Sequence, residues 1–338
     1  MVLERVAGLW RAGLLVGLLA APMVAPTSAG AAQTLVVSAG AESQGGDVQL
    51  NEFAPTQISI NVGDTVTWRL DSTEFHNIYF PSGSPAPEFV QPGPEGVFIN
   101  PQVAMPTGGS SFDGSAPAGS GLLNKGQTWS LTFTKAGTYQ YLCDIHPGMG
   151  GVVTVQAAGQ AADTQAAVDS RRTAQVNGDV ATKGVPAIMS NVGELPAEGV
   201  SAGIAAGVQA GLVDVQRFFP QRVTIKAGDA VTWIWKTEDT PHTVTFLAGQ
   251  PAPAVVVPQP QAGGPPKLQL NPVVLAPAGE ATNWDGGSYL NSGFLQPMPG
   301  QPTPTFTVRF ANPGTYDYVC VLHEGMVGTI VVEGAPAS

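Results

Sequence analysis

The sequence predicts an all-β protein made of two tandem sandwich domains joined by a flexible linker. Three observations carry this reading. Glycine (42) and proline (30) make up about a fifth of the 338 residues, and short β-branched and aliphatic runs lie between them, as in a fold of many strands and long loops. The chain also repeats itself: Phe53 to Trp68 matches Phe218 to Trp233, and Phe133 to Cys143 matches Phe310 to Cys320. Its length suits two domains, each with its own core.

Residues 1–31 read as a signal peptide. Arg5 and Arg11 precede an apolar stretch from Ala12 to Ala25, interrupted by Pro22, and Ala29-Gly30-Ala31 gives an A-x-A cleavage site. The stretch is short for a membrane span, and no cysteine follows it to carry a lipid. The mature chain is therefore expected to be soluble and exported, periplasmic or extracellular, with an uncleaved anchor as the alternative.

The first domain is expected over 33–157. Gly63-Asp64 makes a turn between two alternating runs, Gly137 leads into a strand with Tyr139 and Tyr141 on one face, and Gly151 to Val155 forms a last strand. Residues 158–207 are rich in Ala, Gln, Gly, Asp and Thr with little periodicity. They read as the flexible linker, with a short helix near Gly199 to Gln209 as its one candidate element. The second domain, 208–334, repeats the first with Gly228-Asp229, Gly314, Tyr316 and Tyr318, and Gly328 to Val332.

Each repeat carries a long Pro/Gly-rich insertion, about Pro81–Leu123 and Ala248–Pro304. The two share Asn100-Pro101 with Asn271-Pro272, Phe112-Asp113-Gly114 with Trp284-Asp285-Gly286, and Ser120-Gly121 with Ser292-Gly293. Shared cues predict ordered loops packed on each domain rather than disorder. Trp68, Trp233 and the paired tyrosines are expected in the cores.

The formal charge of −11 argues against nucleic acid as a partner. Loss of residues 1–31 removes one acidic and two basic residues and leaves −12. The acidity reads as solubility charge, and steering of a cationic protein is the alternative.

All four histidines and both cysteines fall into two copies of one pattern: His76, Cys143, His146 and Met149, then His242, Cys320, His323 and Met326. A thiolate, two imidazoles and a thioether are the ligands of a blue-copper centre, trigonal with a weak axial Met. The soft sulfurs suit Cu(I) and the imidazoles tolerate Cu(II), so such a site serves both oxidation states. Cys-x₂-His-x₂-Met places three donors on one loop, and a neighbouring strand supplies the fourth. Zinc would favour paired cysteines or histidine clusters, and a thioether suits it poorly. Each cysteine belongs to its own repeat, so a disulfide between them is not expected. The expected stoichiometry is two type 1 copper ions per chain.

The motif resembles the cupredoxin family of blue-copper proteins, and its short ligand loop is most like that of amicyanin. The resemblance covers both domains but not the linker, and the long insertions depart from small single-domain members. It implies a Greek-key β-sandwich that passes single electrons between redox partner proteins whose identity the sequence does not give. His76-Asn77 resembles the family pair in which Asn braces the ligand loop; Thr243 replaces that Asn in the second copy. The resemblance also implies that His146 and His323 reach the surface as electron ports. Glu324, beside the second site, is a carboxylate expected to lower that site's potential.

Enzymes of this fold need extra histidines for a catalytic copper, often one directly before the cysteine, where Leu142 and Val319 stand here. No histidine is left over, so no catalytic residue is assigned and the chain reads as an electron carrier rather than an oxidoreductase subunit. Copper storage or delivery is the alternative, but the chain has only seven methionines, one of them the initiator. A monomer is expected.

Overall fold

The computed structural model describes residues 31–184 and 201–334. The signal-peptide reading thus falls outside the described residues except at Ala31, as does the linker from 185 to 200. The first repeat contains β1 (Thr34–Glu42), β2 (Val48–Ala54), β3 (Gln57–Asn61), β4 (Thr65–Leu70), β5 (Tyr79–Phe80), β6 (Val90–Gly93), β7 (Gly96–Ile99), β8 (Pro106–Thr107), β9 (Ser111–Phe112), β10 (Ala118–Ser120), β11 (Thr128–Phe133), β12 (Gly137–Leu142) and β13 (Gly150–Gln156). The second contains β14 (Ala202–Ala210), β15 (Val213–Phe219), β16 (Arg222–Lys226), β17 (Ala230–Lys236), β18 (Thr245–Phe246), β19 (Val256–Gln259), β20 (Lys267–Leu270), β21 (Leu290–Asn291), β22 (Thr305–Arg309), β23 (Gly314–Val319) and β24 (Val327–Glu333).

Each repeat is a sandwich of two sheets. In the first, β2-β1-β4-β11-β9 faces β3-β13-β12-β5-β10-β8. Period-two alternation turns Leu35, Val37, Val66, Trp68 and Leu131 inward from one sheet, to meet Ile58, Ile60, Tyr141, Val153 and Val155 from the other. The second repeat does the same with Ile204, Trp233 and Val308 against Ile225, Tyr318 and Ile330. Trp68, Trp233, Tyr141 and Tyr318 are core, as expected; Tyr139 and Tyr316 are half-buried on the same faces. The Gly-Asp turns do not make hairpins. Gly63 (φ +95°) and Gly228 (φ +91°) instead pass the chain from one sheet to the other. In each turn the Asp carboxylate accepts a backbone N–H three residues back, from Asn61 and from Lys226.

The two sandwiches share one sheet. β2 pairs antiparallel with β15, Val213 opposite Leu50 and Val215 opposite Val48, which joins both repeats in a nine-stranded sheet. These strands are equivalent in the two repeats, so the contact has pseudo-two-fold symmetry. Asn51 N–H donates to Leu212 C=O at 2.8 Å, and the equivalent Gln216 N–H donates to Asp47 C=O at 2.9 Å. The insertions obey the same symmetry. Hairpins β6–β7 and β19–β20 join through Gln269 opposite Phe98 into a four-stranded sheet shared by both repeats. The insertions are therefore ordered, but they pack on each other as well as on their own domains.

Two linker expectations are corrected. Residues Gln165–Asp179 form an α-helix continued by a π-helical turn, Val180–Gly184. Thr164 caps it, Arg171 pairs with Asp163 at 2.7 Å, and Gln175 donates to Phe53 C=O. Val176 and Val180 cover a third apolar cluster, Ala41, Val48, Leu50, Val208, Val213 and Val215, built where β2 meets β15. This part of the linker is thus a packed element at the domain junction. Of the stretch read as a short helix near Gly199 to Gln209, residues from Ala202 onward form β14, and the second sandwich begins before residue 208. Its Ala-rich sequence hides the strand, which is the counterpart of β1. No helix among the described residues is long and apolar enough to cross a membrane.

Candidate metal centres

The Cys-x₂-His-x₂-Met segments link β12 to β13 and β23 to β24. Cys143 N–H donates to Met149 C=O at 3.0 Å and Met149 N–H to His146 C=O at 3.1 Å; Cys320, Met326 and His323 repeat the pattern at 2.9 and 3.3 Å. Gly148 (φ +84°) and Gly325 (φ +83°) supply the left-handed residue that so short a closure needs. The remaining histidine precedes β5 or β18. His76 C=O accepts from Leu123 N–H, and His242 exchanges both backbone bonds with Leu295, so the far end of each insertion pins it.

The donor atoms converge. Cys143 Sγ is 3.8 Å from His76 Nδ1 and 3.7 Å from His146 Nδ1. Cys320 Sγ is 3.9 Å from His242 Nδ1 and 3.6 Å from His323 Nδ1, and the two Nδ1 atoms are 3.0 Å apart. A point equidistant from these three atoms would be about 2.1 Å from each, the length of a first-row metal–nitrogen bond. Both cysteines are free and buried, and Met149 and Met326 are buried beside them in the two cores. The donor set, its burial and its spacing fit copper.

Glycines seat the inner histidines. A β-bulge in β1 places Gly40 at φ +69°, where a Cβ would lie 2.5 Å from His76 Nε2; Gly207 in the bulge of β14 approaches His242 more closely still. Behind these rings the sites differ. Ser72 Oγ is 3.1 Å from His76 Nε2, whereas His242 Nε2 is buried without a partner. Asn77 braces the first loop as expected, accepting from Asp144 N–H at 2.8 Å and donating to its carboxylate at 2.6 Å. In the second copy Thr243 Oγ1 takes over the first of these bonds, accepting from Val321 N–H at 2.9 Å.

The insertion cues are structural pins around these sites. Ser120 Oγ and Ser292 Oγ accept from Ile78 and Val244 N–H, two residues beyond each inner histidine. Asn100 and Asn271 cap short helices, Pro101–Ala104 and Pro272–Leu275, and Gly114 and Gly286 lie against Tyr139 and Tyr316.

The outer histidines do not both reach solvent. His146 is half-buried, with a cleft of about 430 Å³ beside it lined by Phe89, Cys143, Pro147 and Met149. His323 is only 6% exposed, and its Nε2 is 3.8 Å from Glu74 Oε1 of the first sandwich. That corrects the expectation of a surface port at His323. Leu212 of the second sandwich packs against the first core near Gly148, so each ligand loop faces the other domain.

The electrostatics follow this asymmetry. Burial pushes the Cys143 thiol up to about 11 and the His146 imidazole down to about 4. Burial acts likewise on His323, but Glu74, Cys320 and Asp214 outweigh it and raise that imidazole. Cys320 is correspondingly held below its usual value, with His323 overcoming its burial. Glu324, the carboxylate singled out in the sequence, is exposed and makes no ion pair among the described residues.

Residues 39–156 match the family described as copper binding proteins, plastocyanin/azurin family. Amicyanin-alpha of Methylorubrum extorquens is 33% identical over 141 residues, which cover 40% of this chain and 85% of that protein. The chain belongs to the plastocyanin/azurin family of copper-binding proteins. It is 31% identical to a plastocyanin of Scenedesmus fuscus over 31% of this chain and 86% of that one. It is also 31% identical to amicyanin of Paracoccus denitrificans over 32% of this chain, spanning 63% of that protein's length. Solved amicyanin structures align with 26% identity over 36% of this chain and 82% of theirs, at a TM-score of 0.24. The matched region of the family lies in the first repeat; the second enters through its internal match and its equivalent donor cluster.

Reading the sequence left Gly40, Gly207, Ser72 and Glu74 without a role. Aligning the repeats from their first strands would have paired the two glycines. Nothing in the local sequence signals Glu74, whose partner lies in the other repeat.

Proposed function

We propose that the chain is an exported blue-copper protein with two type 1 centres. Their ligands are His76, Cys143, His146 and Met149 in domain one (33–157), and His242, Cys320, His323 and Met326 in domain two, which starts at β14. A copper ion bound in such a set supplies one-electron redox chemistry. The observation that carries the reading is the convergence of one thiol and two imidazole Nδ1 atoms in each sandwich. The residues' own contribution is rigidity. Gly40 and Gly207 fix the inner rings, the Cys-to-Met backbone bond fixes each loop, and both cysteines are buried. A site so held rearranges little between oxidation states, which favours electron transfer between redox proteins over storage or delivery.

Copper titration followed by visible and EPR spectroscopy tests this. Two equivalents should bind with intense absorption near about 600 nm, as expected of copper–thiolate bonding. A colourless protein holding only Cu(I) would favour delivery instead. Cys143→Ser should abolish one centre and spare the other; loss of both would refute independent ligand sets.

A further inference from the structure

We infer that Glu74 of the first sandwich completes the second metal centre across the domain interface, as the carboxylate partner that faces His323 Nε2 at 3.8 Å. The inference rests on the reading of His323 as a ligand. Its Nδ1 faces Cys320 Sγ at 3.6 Å and His242 Nδ1 at 3.0 Å, so this nitrogen is the donor to metal. A neutral imidazole that binds through Nδ1 carries its proton on Nε2. That edge faces Glu74 Oε1 at 3.8 Å, inside a contact where His323 is almost fully buried.

Glu74 is held for this task from the second sandwich. Gln216 Nε2, on β15, donates to the same carboxylate oxygen at 2.8 Å. The arrangement needs both domains, because the ligand and Gln216 come from one and the carboxylate from the other. It is also lopsided: among the described residues, His323 is the only histidine within 4.0 Å of a carboxylate, and Glu74 acts on His146 only as a longer-range charge. A carboxylate behind a ligating imidazole fixes its tautomer and orientation and raises its basicity. It also favours the more positive oxidation state of the metal, so it lowers the potential of the second centre relative to the first. This role belongs to Glu74, from another domain, rather than to Glu324 on the ligand loop itself.

The test compares full-length copper-loaded protein with Glu74→Gln, Glu74→Asp and Glu324→Gln. Spectroelectrochemistry gives the midpoint of each centre, and nitrogen NMR of the diamagnetic Cu(I) form gives the His323 Nε2–H signal. Glu74→Gln should raise the second midpoint well beyond any change at the first, move the Nε2–H signal upfield and weaken copper retention at the second site about 10- to 100-fold. Glu74→Asp should recover part of each effect, which a packing defect would not. Glu324→Gln should change none of them. Unchanged second-site midpoint and His323 signal in Glu74→Gln would overturn the inference, as would equal shifts at both centres. Absence of any thiolate-to-copper band in the parent protein would instead refute the ligand reading on which it rests.

Discussion

Gly40 and Gly207 show how much of a ligand's position is set by a residue with no side chain. Each lies in a bulge at φ +69° with a histidine ring where a Cβ would go. Gly40→Ala should therefore force His76 outward and add left-handed strain, at a cost of about 1–3 kcal/mol. Thermal unfolding and the optical band of the first centre should both report it, with the second centre unaffected; Gly207→Ala should reverse the two. The eight proposed ligands were legible because Cys, His and Met are scarce here and their chemistry is specific. The glycines were not, since a glycine among small residues such as Ser38-Ala39-Gly40-Ala41 carries no mark of what lies against it. Glu74 was illegible for another reason: its role depends on a contact between repeats that neither repeat encodes alone.

Among the elements, the sequence concealed the helix Gln165–Asp179 as well as β14. The helix's apolar stripe is sparse, Val168, Val176 and Val180 at four-residue multiples, and most of its anchoring is polar, through Gln165, Arg171, Arg172 and Gln175. Strands with alternating patterns were read correctly, but their sheet was not, because alternation says which residues face inward and not which strand lies alongside. Under the helix, burial lifts the Glu52 carboxyl to about 7, and one of its oxygens has no partner. A carboxyl raised in the folded state holds its proton there while the unfolded chain releases it. Stability is therefore fullest below the ordinary glutamate value of about 4.3 and falls as pH rises toward 7. Glu52→Gln should remove this slope, so chemical denaturation from pH 4 to 8 should show the variant gaining on the parent as pH increases. A constant difference across that range would show that Glu52 ionises in place without cost.

At the scale of the whole molecule, the β2–β15 pairing, the cluster beneath it and the joined insertions make the two sandwiches one structural unit. The parent chain should unfold calorimetrically in a single transition. Val213→Asp buries an unpaired charge in the cluster under the helix and should split that transition in two while each centre still binds copper. The doubled architecture was readable from the repeats, but the docking was not, since a linker of low periodicity reads the same whether its ends are free or joined by a sheet.

That symmetric contact also changes how the protein responds to dilution. Two separate chains meeting edge to edge in this way would part as their concentration fell. Here both edges belong to one polypeptide, so their encounter is first order and its equilibrium contains no concentration term. The pair of centres should keep its spacing and its shared carboxylate at nanomolar as at millimolar protein, whatever the level of expression.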